Sequence, residues 1–201
     1  MATNLRVETL LNAVPSDTRI LDIGCVQHTA ENASNEDWVH QELYDIGEEV
    51  VGLDYEADEV RKLQQQGYNI IHGDAQNFDL GDTFDVVIAG ELIEHLSNVG
   101  GFLDCVHEHL EGDGEFILTT PNPWAFHRFK QAGFGEVFAN KEHTCWFDER
   151  TLQQVLTRHQ FEVTSIEYVK ASTTGITSLL YRFGFQMLGG TSLLVRSTPT
   201  R

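Results

Sequence analysis

Short, almost unbroken runs of branched apolar residues recur along this chain, and the first four lead straight into a glycine or a carboxylate. They are Arg19–Cys25 (RILDIGC), Val50–Tyr55 (VVGLDY), Asn69–His72 (NIIH, then Gly73-Asp74) and Phe84–Ala89 (FDVVIA, then Gly90-Glu91). A fifth run, Glu115–Thr120 (EFILTT), leads into Pro121. Such runs suit strands buried on both faces, the condition of strands in a parallel sheet. Between them Glu36–Ile46, Ala57–Gln66 and Val99–Leu110 read as helices. Further on, Asp148–His159 reads as a helix with Asp148 as its N-cap, followed by strands at Phe161–Lys170 and Thr191–Ser197. Strand–helix alternation predicts an α/β fold: a seven-stranded, mostly parallel, doubly wound sheet with helices on both faces, the last strand returning beside the sixth. No internal repeat, low-complexity tract or linker interrupts the pattern, so residues 1–201 are read as a single domain.

In open α/β sheets ligands lie beyond the carboxyl ends of the strands, at the switch point. Four successive strand ends carry groups suited to a nucleoside. Leu21-Asp22-Ile23-Gly24-Cys25 ends the first, and Gly24 lets backbone approach a ligand without a Cβ clash. Asp22 is placed to orient that loop or to meet a ligand ammonium through water. Asp54, followed by Tyr55, ends the second, where an acid accepts both ribose hydroxyls. Asp74 after the third accepts from an adenine amino group, and Ala75 offers its N–H to a ring nitrogen. Gly90 ends the fourth. A lone strand-end acid is more often a capping or surface group; the ordered set is the stronger signal.

RILDIGC, VVGLDYE, HGDAQNF, FDVVIAGELIEHL and GEFILTTPNP resemble the successive motifs of class I S-adenosylmethionine (SAM)-dependent methyltransferases, from about Arg19 to Phe161. The resemblance implies a SAM-binding enzyme with Asp22, Gly24, Cys25, Asp54, Tyr55, Asp74, Ala75 and Gly90 around the cofactor. One position departs from the pattern: the second glycine of the first loop is Val26. The G-x-G-x-x-G fingerprint is therefore absent, which speaks against a dinucleotide pyrophosphate. The insert Gln27–Gln41 lengthens the path from Asp22 to Asp54. It either closes over the cofactor or uses Trp38 as a core anchor.

After the fourth strand comes Glu91-Leu92-Ile93-Glu94-His95-Leu96. On a helix, at ~100° per residue, Glu91, Glu94 and His95 share one arc and the apolar residues the other. Two carboxylates and an imidazole suit Mg²⁺ or Mn²⁺. Without a metal, His95 serves as a general base near neutral pH. The Glu-x-x-Glu-His pattern resembles metal-dependent O-methyltransferases of quinone-precursor catechols. Thr120-Pro121-Asn122 and the later His143-x-x-x-Phe147 resemble small-RNA 2′-O-methyltransferases. Those resemblances imply Glu91, Glu94, His95 and His143 as metal ligands, with His95, Glu91 and His143 catalytic. A Glu-His pair here also fits a metal-free site, its glutamate favoured by a helix dipole, or a structural role. A bound cation lowers a hydroxyl pKa and chelates neighbouring oxygens, which points to a vicinal diol or catechol acceptor. Pro121–Asn140, with Trp124, Phe126, His127, Arg128, Phe129, Phe134 and Phe138, reads as the acceptor pocket or a lid over it.

Acidic residues number 31 against 13 basic, a formal net charge of −18. A surface this negative repels phosphate backbones, so nucleic-acid binding is disfavoured and a small-molecule, glycan or quinone-like acceptor is preferred to RNA. The charge is equally that of an ordinary acidic protein or of one living in high salt. A non-catalytic SAM-binding protein remains the alternative of another class. The three cysteines are too few and scattered for a disulfide framework and read as reduced thiols. No apolar run approaches the ~20 residues of a membrane span, and Met1–Thr9 lacks the apolar region of a signal peptide, so a cytoplasmic location is expected. The apolar stretch Ile176–Leu188 either covers the pocket, pairs two subunits as a homodimer or touches a membrane.

Overall fold

The computed structural model describes residues 5–26, 38–135, 140–170 and 175–200. In chain order the elements are α1 (Leu5–Ala13), β1 (Arg19–Ile23), α2 (Val39–Leu43), β2 (Glu49–Asp54), α3 (Ala57–Gln65), β3 (Ile70–His72) and β4 (Phe84–Gly90). A single 3-10 turn, Ile93–His95, follows. The remainder is α4 (Val99–Glu108), β5 (Leu110–Pro121), α5 (Phe126–Gly133), α6 (Glu149–Arg158), β6 (Phe161–Val169), α7 (Gly175–Arg182), α8 (Gln186–Gly189) and β7 (Ser192–Pro199).

Among the described residues, seven strands form one sheet in the order β3-β2-β1-β4-β5-β7-β6. β1 to β5 pair in parallel, while β7 runs antiparallel between β5 and β6. The α/β reading of the sequence is borne out, including the return of the last strand beside the sixth. The strand order reverses between β1 and β4, so their carboxyl ends open the crevice where a ligand belongs.

Successive side chains of a strand face opposite sides, and here both sides are apolar. Leu21, Ile23, Val87, Ala89, Phe116 and Leu118 pack against α4 and α6 residues such as Phe102, Val106, Leu152 and Leu156. The alternate positions Ile20, Val86, Ile88 and Ile117 pack with Leu10 of α1 and Leu43 of α2. A small third cluster gathers Cys25, Trp38, Val60, Leu63 and Ile70 beneath the tips of β1 and β3.

Local sequence explains the helix starts. Asp148 caps α6 as expected: its carboxylate accepts from Thr151 N (2.8 Å), and Thr151 Oγ1 accepts from Asp148 N (2.9 Å). This reciprocal box satisfies two otherwise orphaned donors and stabilises the helix by about 1 kcal/mol. Asn98 caps α4 by accepting from Gly101 N (3.1 Å). The helix expected at Glu36–Ile46 is described only as α2, Val39–Leu43, since residues 27–37 lie outside the described set. No helix of the described residues is long and apolar enough to cross a membrane.

Candidate active site

The tips of β1, β2 and β3 form one wall. Gly24 turns the chain after β1 with φ +77°, and a Cβ there would sit 3.1 Å from Leu92. Only glycine takes that conformation and that spacing without strain. Its N–H donates to Leu53 O (2.8 Å), tying the loop to β2. Asp54 ends β2 almost fully buried, and its carboxylate accepts from Val26 N (2.9 Å) and Glu56 N (3.0 Å). Burial raises its pKa, and the two backbone donors oppose the shift. Each oxygen keeps a further lone pair, enough to accept from a ribose diol. Gly73 N donates to Asp54 O (2.9 Å), so Asp74 and Ala75 follow at the neighbouring tip. Asp74 is exposed and accepts from Gln76 N (2.9 Å); Tyr55 is also exposed.

Beneath this wall the structure places two predicted residues in the interior. Asp22 is buried and bonded to His40 Nδ1 of α2 at 3.0 Å. It shares the sheet face of Ile20, two residues earlier. Cys25 is buried, its thiol pushed well up in pKa by burial and then by Asp22 and Asp54. Trp38 is the core anchor of its segment: it is 1% exposed, and its indole N–H donates to Cys25 O (2.7 Å). The closing of 27–37 over the cofactor falls outside the described residues.

The opposite wall follows β4, and here the expected helix gives way to something tighter. Gly90 leads into Glu91 with φ +51°, a left-handed conformation unusual for a side-chain-bearing residue. Only the 3-10 turn follows. Glu91, Glu94 and His95 therefore do not share a helical arc. Glu91 N is held by Thr119 O (2.9 Å), and its carboxylate meets Ser192 Oγ (2.8 Å) and Arg6 Nε (3.7 Å).

The turn instead buries Glu94 beside His95 and brings His143 to both. Ligand atoms of Glu94, His95 and His143 all lie within 4.8 Å of one another. The imidazoles of His95 and His143 meet edge to face, 4.7 Å between centroids. The distant segment is stitched down by backbone: Thr144 N donates to Glu94 O (2.9 Å) and Thr144 Oγ1 to Leu96 O (2.7 Å). Glu94 is 1% exposed; one oxygen accepts from Thr120 Oγ1 (3.0 Å), and Oε1 has no partner among the described residues. His143 Nδ1 is orphaned in the same way. Burial, and then Glu91, raise the Glu94 carboxyl to about 7. Burial and then His95 lower His143, favouring the neutral imidazole with a free lone pair. Trp146 abuts His143 (5.2 Å between centroids), and Arg128 of α5 stacks on Trp146. The tether Thr144 and the Ser192 and Arg6 contacts to Glu91 had no signal in the sequence, and Thr120, part of a motif the sequence shows, gave no sign there of its contact with Glu94. They come from elements far apart in the chain.

A buried carboxylate and two imidazoles brought together can deprotonate a hydroxyl or hold a cation. The methyltransferase-domain family matches residues 4–166. This chain belongs to that family. The methyltransferase shares 25% identity over 118 residues with the rat mitochondrial ubiquinone biosynthesis O-methyltransferase, covering 53% of this chain and 32% of the relative. It shares 32% over 111 residues with the ubiquinone biosynthesis O-methyltransferase of Azorhizobium caulinodans, covering 52% and 40%. The matched region thus spans less than half the length of these relatives. Among solved structures it resembles a SAM-dependent methyltransferase from Mesorhizobium loti (TM-score 0.66, 16% identity, 95% and 96% covered). It also resembles the magnesium protoporphyrin IX methyltransferase of Synechocystis, solved with bound SAH (TM-score 0.65, 13% identity, 96% and 82% covered). The chain carries a methyltransferase domain on an α/β fold.

Proposed function

We propose that this methyltransferase transfers the methyl group of SAM to a hydroxyl oxygen of a small acceptor seated at Glu94, His95 and His143. The observation that carries the reading is the convergence of those three side chains, two with orphaned polar atoms, at the end of β4 opposite Asp54. Buried polar atoms without partners are rare, and together they point to a group that completes the site. The O-methyltransferase activity named for the curated relatives supports oxygen as the acceptor atom.

Methyl transfer is an in-line displacement. The acceptor oxygen forms a bond to the methyl carbon, the carbon–sulfur bond breaks, and the sulfonium becomes a neutral thioether. The chain's part is to align donor and acceptor and to remove the hydroxyl proton. Asp54 and its neighbouring tips hold the nucleoside end of the donor. The neutral imidazole of His95 or His143 accepts the proton, and Glu94 stabilises the imidazolium that results. The residues also fit a divalent cation, with Glu94, His95 and His143 as ligands. Two nitrogens and one oxygen suit Mn²⁺ better than Mg²⁺, which prefers oxygen donors. Such an ion, when bound, lowers the pKa of the acceptor hydroxyl and chelates a neighbouring oxygen. That chemistry favours catechols and vicinal diols, an acceptor class that also suits the strongly acidic surface better than RNA.

The test is methylation of catechol and of 3,4-dihydroxybenzoate with SAM, with EDTA or with added Mn²⁺. Turnover lost in EDTA and restored by Mn²⁺ supports the metal-bound site. Turnover indifferent to EDTA but lost in His143→Ala and His95→Ala supports the imidazole base. Methylation that survives Glu94→Ala, His95→Ala and His143→Ala overturns the reading.

A further inference from the structure

The acidic residues of this chain are unevenly placed. Residues 121–135 and 170–201 hold six of the 13 lysines and arginines and none of the 31 aspartates and glutamates. These two stretches contain α5, α7, α8 and β7, and they meet in the fold. β7 runs antiparallel to both β5 and β6, so the carboxyl ends of β5 and β6 and the amino end of β7 lie at one end of the sheet, the end that holds the crevice. There Asn122, between β5 and α5, donates from its backbone to Thr191 O (2.9 Å) and from its side chain to Met187 O (2.7 Å) and Gly190 O (2.8 Å). α8 in turn presses on α7: a Cβ on Gly189 would sit 2.6 Å from Thr177 O.

This end of the molecule turns its apolar side outward. At ~100° per residue, Ile176, Leu179 and Phe183 fall on one face of α7 and its continuation. All three are more than half exposed, Phe183 at 73%. The residue that α7 buries is Ser178, on the other side. A helix packed on a core for its own stability has the reverse polarity. α5 buries none of its residues, and Trp124, Phe129 and Phe134 along it are exposed, Phe134 at 77%. Eight of the twelve large apolar side chains exposed among the described residues fall in these two stretches. At up to ~200 Å² each they offer on the order of 800 Å² of apolar surface. The largest apolar patch on a typical monomer is ~300–600 Å². Lys130 and Arg182 are exposed among them.

We propose that the face formed by α5, α7 and α8 docks on a lipid bilayer bearing anionic headgroups, its aromatic and aliphatic side chains entering the headgroup region while Lys130 and Arg182 meet the phosphates. This does not depend on the roles given to Glu94, His95 and His143. Charge selects the partner. A net charge of −18 repels an anionic surface, but at ~0.15 M salt the field decays over ~8 Å, so the face in contact decides. The acids are missing from this face, and basic residues near an anionic surface are attracted to it. Two copies meeting through the same face would instead set like charges against each other. Exposed aromatic rings with lysine and arginine beside them are the composition that settles at a headgroup boundary.

The decisive measurement is flotation of the full chain with vesicles of phosphatidylglycerol and phosphatidylcholine in equal parts, against vesicles of phosphatidylcholine alone. We expect the anionic vesicles to bind at least about tenfold more tightly, less so as salt is added, with a blue shift of tryptophan emission as Trp124 leaves water. Leu179→Ser with Phe183→Ser lowers vesicle affinity by about tenfold or more at unchanged melting temperature and SAM affinity, since both side chains already stand in water. Lys130→Glu with Arg182→Glu removes the preference for the anionic vesicles. Absence of vesicle binding, equal affinity for the two kinds of vesicle, or binding indifferent to both double variants overturns the proposal. So does a dimer in sedimentation that Phe183→Ser splits, in protein that floats with neither vesicle: the face then belongs to a second copy of the chain.

Discussion

The two walls of the crevice are finished to different degrees. On the β1–β2–β3 side the groups at the strand tips are satisfied from within, although His40 Nε2 beneath them is not: Asp54 is held by two backbone donors, and the Gly24 loop is bonded to β2. Across the cleft, Glu94 Oε1 and His143 Nδ1 are buried without hydrogen-bond partners among the described residues. One wall is held by its own hydrogen bonds, and the other keeps buried polar atoms that a ligand can complete. A cofactor common to many reactions suits a preformed seat. The variable acceptor suits a site whose polar groups are left to be completed by the substrate or an ion.

The largest expected effect tests the finished wall. Asp54→Ala removes the acceptor for two backbone N–H groups as well as the ribose anchor, and should weaken SAM binding by about a hundredfold or more. Isothermal titration checks this; near-normal affinity would show that the wall is not preformed around Asp54. On the open wall, Glu94→Gln should lower kcat by about a hundredfold while SAM affinity stays within about twofold. A parallel loss of SAM affinity would merge the two walls into one unit.

Glu94 also makes the open wall sensitive to pH. Its carboxyl rises from an ordinary 4.5 to about 7 in the folded protein, so the native state holds that proton more tightly than the unfolded chain. Its contribution to stability is complete below about pH 4.5 and is lost as pH climbs through about 7, an effect on the order of 3 kcal/mol. Denaturant melts at pH 5 and pH 8 should show this fall in the wild type and its absence in Glu94→Gln. At saturating Mn²⁺ the fall should shrink, since an ion that binds only the native state adds stability by mass action.

Smaller effects separate the joints of the two walls. Gly24→Ala forces a Cβ onto a φ of +77°, 3.1 Å from Leu92, and should cost about 1–2 kcal/mol, with SAM affinity falling more than acceptor affinity. Thr144→Val removes the hydroxyl that ties the His143 segment to Leu96 O, and should cost about 1 kcal/mol and slow turnover several-fold at unchanged SAM affinity. An equal effect on both ligands in either variant would blur the distinction drawn here.

Much of the finished wall was legible in the sequence because its signals are local. A strand with both faces buried reads as a continuous apolar run, and its last residue is known once the run ends. Asp54, Gly24 and Asp74 fall at such ends. Two residues on that wall were less transparent. Asp22 belongs to the inward-facing alternation of β1 and meets a buried His40 18 positions away. Cys25 turns into the small core with Trp38. The open wall was harder, because periodicity suggested a helix over Glu91–Leu96 where the chain makes a left-handed step and one 3-10 turn. That step is fixed by hydrogen bonds from Glu91 N to Thr119 on the neighbouring strand, a contact that no window of sequence contains.

The sequence alone determined the sheet, its parallel character and the ordered acids at its tips, since these follow from continuous apolar runs and from residues within a few positions of each other. Tertiary structure decided which polar side chains meet. It parted Glu91 from Glu94, drew His143 onto His95 through Thr144, and stacked Arg128 on Trp146. Those outcomes depend on how distant segments pack over the strand ends, and packing partners are chosen by the whole fold rather than by any local pattern.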